Sequence, residues 1–123
     1  MGFETEIEKM GGHIHFRLKG DFTGFEIDKE LIDVFYKIEE SAKRYDCFRV
    51  LLDATELDYK INNSERYKIG EYVANIYRKN LIKIACLRCS NMKDDFTEIV
   101  ATNRGGFFKF FNDEKEAVKW LKD

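Results

Sequence analysis

Apolar residues in this chain recur at two periods in turn, every second residue and then every third or fourth, and that alternation leaves few folds open. Phe3, Thr5 and Ile7 alternate with Glu4, Glu6 and Glu8, the pattern of a half-buried strand. Gly11-Gly12 turns the chain, and His13 to Lys19 alternates again. Ile14, Phe16 and Leu18 share one face; His13, His15, Arg17 and Lys19 share the other, which reads as a solvated strand face. Two such runs around a glycine pair predict an antiparallel hairpin. Gly20-Asp21-Phe22-Thr23-Gly24 reads as a loop, and Thr23 with Glu26 has capping-box spacing. Leu31, Phe35, Ile38 and Ala42 then mark a helix to about Arg44.

The run Phe48-Arg49-Val50-Leu51-Leu52, ending at Asp53, suits a strand buried on both faces. A polar segment from Ala54 to Asn63 leads to Ser64, a fair N-cap, and Ile69, Val73, Ile76 and Tyr77 line a helix that stops near Asn80. Ile82 to Leu87 is the next strand, followed by a short helix opened by Asp95 and Glu98 at capping-box spacing and closed by Gly105-Gly106. Phe107 to Phe111 is a last strand, and Asp113 with Glu116 opens a final helix whose Ala117, Trp120 and Leu121 face the sheet. The order β-β-α-β-α-β-α-β-α predicts an α/β fold. Its sheet is mostly parallel, its first strand antiparallel at an edge, and its crossovers right-handed. Loops after the parallel strands collect along one sheet edge, where α/β folds usually bind.

At 123 residues the chain is the size of one domain, and residues 1–123 are read as such. With 44% hydrophobic residues it can build a core despite 36% charged ones. The net charge of −2 is dispersed, with no basic stripe, so nucleic acid is a poor partner. No apolar run approaches the roughly 18–20 residues that span a bilayer. Three cysteines suit a reducing compartment, and the acidic N-terminus is wrong for a signal peptide, so the expectation is a cytoplasmic protein. The exposed edge strand Phe3–Glu8 invites sheet-to-sheet pairing into a homodimer.

Three stretches resemble the STAS superfamily, in particular its stand-alone SpoIIAA-like branch. One is Val50-Leu51-Leu52-Asp53-Ala54-Thr55-Glu56-Leu57, an aliphatic strand followed by Asp, a small residue and a hydroxyl residue. The others are Ile99-Val100-Ala101-Thr102-Asn103-Arg104-Gly105-Gly106 and the closing run Phe110 to Leu121 with its Ala117 and Trp120-Leu121. The resemblance implies a SpoIIAA-like fold and a mostly non-catalytic module: an antagonist switched by phosphorylation, a transporter tail, or a ligand sensor. It also implies a phosphoacceptor Ser or Thr after an Asp at the start of the second main helix. Here that stretch is Ile61-Asn62-Asn63-Ser64, with Asn62 near the Asp position and Asn63 or Ser64 at the acceptor; the Asp-Ser pair is missing. The branch is also similar to the lipid-binding CRAL-TRIO fold, which implies a carrier of a small apolar ligand as the alternative.

Of the candidate sites, Ser64 either accepts a phosphate at a helix N-terminus or simply caps the helix, and capping is the more common use. Cys86-Leu87-Arg88-Cys89 has redox and zinc spacing, but Cys86 lies in a strand, so buried inert thiols are expected. His13 and His15 could bind a metal side by side, yet no third ligand is evident and Arg17 and Lys19 would repel one. The acids Asp21, Asp53 and Asp113 could hold Mg²⁺, but no adjacent acidic pair supports it. No catalytic set is complete and no cofactor or metal is called for. The reading is a regulatory domain that binds a protein partner or small ligand through Asp53, Thr55, Ser64, Ser90 and Asn91.

Overall fold

A computed structural model describes residues 3–22, 27–59, 62–89 and 95–123. The elements run β1 (Phe3–Lys9), β2 (Ile14–Phe22), α1 (Ile27–Tyr45), β3 (Arg49–Tyr59), α2 (Asn63–Asn80), β4 (Lys83–Leu87), α3 (Phe96–Asn103), β5 (Phe108–Phe111) and α4 (Glu114–Lys122). The five strands lie in sequence order; β1 pairs antiparallel with β2, and every later pair is parallel. This is the mixed sheet that the alternation of strand and helix patterns requires.

The two sheet faces are covered unequally. One carries the main core, where Ile14, Phe16, Val50, Leu52, Ile84 and Cys86 meet Val34, Phe35 and Ile38 of α1, Val73 and Ile76 of α2, and Ala101 of α3. Among the described elements the other carries only α4, whose Ala117 and Leu121 pack on Leu51, Ala85 and Leu87. That helix lies over β3, β4 and β5. Beside it, the same face of β1 and β2 presents polar side chains.

Two boundaries differ from the sequence reading, for one physical reason. Gly20-Asp21-Phe22 reads as a loop and Ala54 onward as a polar connection, yet both segments are strand, because they pair with each other. Gly20 stands against Leu57, Asp21 against Asp58 and Phe22 against Tyr59. Pairing with β4 ends at Asp53–Leu87, so the β2–β3 ribbon continues for six residues past it, about 20 Å at the usual rise per residue.

The helix ends also repay comparison. Asn62, and not Ser64, caps α2: its side chain accepts from the Glu65 amide at 2.9 Å while Glu65 accepts from the Asn62 amide at 2.9 Å, a complete capping box. Asp95 stands at the N-cap of α3 but caps nothing with its side chain; its carboxylate pairs with Arg88 at 2.6 Å, and Glu98 accepts from the Phe110 amide at 2.8 Å. Asp113 does cap α4, through the Glu116 amide. Gly105 has φ 85°, as the left-handed close of α3 demands. The expected Thr23–Glu26 cap lies outside the described residues.

Candidate functional site

Asp53 ends an apolar run, and a carboxylate there must find donors or be neutralised. It is 5% exposed, on the face that carries α4. Its donors come from a bulge. Arg17 pairs with Asp53 and Lys19 with Glu56, so Ala54 and Thr55 of β3 stand against the single residue Leu18 of β2. At that bulge Asp53 Oδ1 accepts from the Thr55 amide at 3.1 Å and from the Thr55 hydroxyl at 2.6 Å. Oδ2 lies 3.1 Å from His15 Nε2 and 3.5 Å from Arg17 Nε.

The network extends across the hairpin. Glu6 on β1 stands opposite Arg17, and its Oε1 lies 3.6 Å from Arg17 Nη1 and 3.5 Å from Lys19 Nζ. Glu6, Ile7, Glu8, His15 and Arg17 line an open cleft of about 290 Å³ on this face. Burial acts to raise the pKa of Asp53, but the two Thr55 hydrogen bonds and the one with His15 outweigh it and hold the carboxyl below the ordinary carboxylate value. The Asp53 carboxylate is therefore ionised and held among cations and donors. Both Asp53 oxygens have partners within the protein, and among the described residues no group of three or more His, Cys, Asp and Glu is placed to hold a metal.

The histidine face of β2 is not solvated. His13 and His15 are 8% and 9% exposed. His15 turns to Asp53, whereas the buried His13 Nε2 has no hydrogen-bond partner among the described residues. Burial, then the neighbouring His15 and Lys122, push the His13 pKa down, against a smaller opposing pull from Glu114. Cys86 and Cys89 are buried free thiols, and burial pushes the Cys86 thiol well above its ordinary value, the inert state expected from its strand position.

Of the residues singled out from sequence, Asp53 and Thr55 are brought together at the bulge. Ser64 stands apart from them, exposed in the first turn of α2. Ser90 and Asn91 lie outside the described residues. His15, Arg17 and Glu6 were not singled out as partners of Asp53. The signal for them was present: an acid embedded in an apolar strand needs a cation from its neighbour, and β2 presents a basic face.

A second cleft, of about 580 Å³, lies at the amino-terminal ends of β3 and β4, where Tyr45, Phe48, Tyr77 and Phe107 mix with Arg49, Lys83 and Asp123. It is open to solvent and edged by charge, unlike the closed Phe- and Tyr-lined cavity that an apolar carrier calls for. No described helix is long and apolar enough to cross a membrane.

No family model and no curated protein matches this sequence. Solved structures do match it along nearly the whole chain. A DUF3478-family protein of Shewanella loihica, described as having a SpoIIAA-like fold, is 21% identical, with 98% of this chain and 93% of that one covered at a TM-score of 0.56. The anti-sigma factor antagonist SpoIIAA in its unphosphorylated form is 12% identical over 97% of this chain and 98% of its own, with a TM-score of 0.59. An anti-sigma factor antagonist from Mycobacterium paratuberculosis is 10% identical over 99% and 96%, with a TM-score of 0.62. The chain has the SpoIIAA-like fold.

Proposed function

We propose that residues 1–123 form one non-enzymatic regulatory domain of the STAS type, which binds a protein partner or ligand at its carboxyl edge. The edge consists of the projecting β2–β3 ribbon with Asp53 and Thr55 and the first turn of α2 with Ser64; Ser90 and Asn91, outside the described residues, join the proposal from the sequence alone. What supports the reading is the exposed first turn of α2 on a fold shared from end to end with two anti-sigma factor antagonists. Asn62 satisfies the Glu65 amide, so this turn is ordered without Ser64 and leaves that hydroxyl free for an outside group. Asn63, directly after the cap, has no hydroxyl to phosphorylate, which favours constitutive binding over a phosphate switch.

The test is a photo-crosslinking amino acid in place of the exposed Asn63, which keeps Ser64 intact beside it, with a control at the exposed Lys115 of α4, in cells of the native host. One protein or small molecule captured from 63 and not from 115 is the expected result. Capture from both positions alike, or from neither, would sink the proposal. Denaturing mass analysis of the same material reports phosphate at Ser64, which would restore the switch.

A further inference from the structure

β1 is the open edge of the sheet, and its side chains are sorted by sign. Register with β2 places Glu4 opposite Lys19, Glu6 opposite Arg17 and Glu8 opposite His15, so one face of the edge strand is wholly acidic. Thr5 and Ile7 point to the other face, where Ile7 is 38% exposed. Only Glu6 is neutralised by β2: among the described residues, Glu4 and Glu8 have no ion-pair partner. The edge therefore offers a row of unpaired backbone groups flanked by two unspent carboxylates and an exposed isoleucine.

Charged residues on an edge strand commonly serve to keep it from pairing. Here they discriminate among partners. Two copies of β1 related by a two-fold axis pair antiparallel with like faces together, which sets glutamate against glutamate, a repulsive cross-strand arrangement. A homodimer through Phe3–Glu8 is therefore disfavoured. A strand of opposite charge meets no such obstacle, and β2 displays the chemistry that fits: basic residues on one face alternating with Ile14, Phe16 and Leu18 on the other.

We propose that the free edge of β1 is a docking site for an extended segment of another protein in which Lys or Arg alternates with apolar residues. The segment adds a sixth strand by backbone hydrogen bonds. Its cations stand beside Glu4 and Glu8, and its apolar side chains extend the surface around Ile7. This surface is separate from the Ser64 edge, and either assignment stands without the other.

The probe is a fluorescent peptide, Gly-Lys-Val-Arg-Val-Lys-Val-Gly, titrated by anisotropy, with amide hydrogen exchange read on β1. The expected result is saturable, salt-sensitive binding with slowed exchange at residues 4–8. The E4K/E8K variant leaves Glu6 and its two ion pairs in place, so it keeps the hairpin. It should bind this peptide at least tenfold more weakly and gain binding to the Glu-for-Lys/Arg peptide. Binding without slowed exchange on β1, equal binding by the variant, or no binding at all would overturn the proposal. So would a concentration-dependent dimer that E4K/E8K dissolves, because it would give the edge to a second copy of the chain.

Discussion

Thr55 gives both its amide and its hydroxyl proton to one oxygen of Asp53, at 3.1 and 2.6 Å, and so locks the bulge that ends the regular part of β3. The bulge takes the Thr55 amide out of the β2–β3 ladder, and the carboxylate supplies the missing acceptor. The other Asp53 oxygen ties the same point to His15 and Arg17 of β2. One buried acid therefore fixes the strand from which the projecting ribbon springs.

Replacing Asp53 with Ala removes the acceptor of the Thr55 amide and hydroxyl and leaves the buried His15 without its partner, and the expected loss is about 3 kcal/mol. Thr55→Val removes only the hydroxyl donor and should cost about 1.5 kcal/mol, as a hydrogen bond to a charged group does. The two losses should not add: in the Asp53→Ala background the valine should cost close to nothing. Urea unfolding of the two single variants and the double variant measures the coupling, and additive losses would show that the contact carries no energy.

His13 makes stability depend on pH in a definite direction. His13 is held below its ordinary 6.5, so as pH falls past that value the unfolded chain takes up a proton that the folded chain refuses. Stability should decline beneath pH 6.5 and level off once the folded ring itself is protonated. His13→Phe removes both the buried partnerless Nε2 and the titration, and should hold or raise stability at pH 7 while flattening the decline. Asp53 adds a second window at lower pH. Its folded pKa lies beneath the ordinary 3.8, so its contribution is complete above that value and is lost as pH falls through the folded one. A profile of wild type and His13→Phe that stays parallel from pH 7 to 5 would contradict the first assignment.

Why the strands were legible and the network was not comes down to distance along the chain. Ile14, Phe16 and Leu18 announce their strand through local alternation, and Ile69, Val73 and Ile76 announce theirs as a helix, because the period is set by neighbours a few residues away. The meeting of His15 with Asp53 joins residues 38 apart and depends on which strands lie side by side. The same holds for the outer halves of β2 and β3: Asp21 and Asp58 are poor strand residues that become strand only by pairing with each other. The His13 face looked solvated because no local pattern says that α4 returns over that side of the sheet.

Helix α2 meets α3 at a point where only glycine fits. A Cβ on Gly70 would sit 2.6 Å from Val100 Cγ1, 2.7 Å from Val100 Cβ and 3.1 Å from the Thr97 carbonyl oxygen. Alanine should help the helix by about 1 kcal/mol on propensity alone, so any net loss measures the clash. Gly70→Ala is expected to destabilise by roughly 2 kcal/mol, as overpacking does. Trimming the obstacle should recover part of this: Val100→Ala should cost less in the Gly70→Ala background than in wild type. A Gly70→Ala variant as stable as wild type by thermal unfolding would show that the two helices yield at this contact.

The start of α2 separates the two roles that one sequence stretch could play. Asn62 satisfies the Glu65 amide and Glu65 the Asn62 amide, so Asn62→Ala removes one bond of the capping box and leaves the other; the expected cost is about 1 kcal/mol. Ser64 lies within the helix, past the cap, and Ser64→Ala should change stability by less than roughly 0.5 kcal/mol, the range of exposed substitutions. The contrast matters for function as well as folding. If Ser64→Ala is neutral for stability yet abolishes crosslinking-detected binding or an in-cell phenotype, the hydroxyl serves recognition. If it unfolds the protein as much as Asn62→Ala does, Ser64 is structural and the partner surface must be sought elsewhere on the edge.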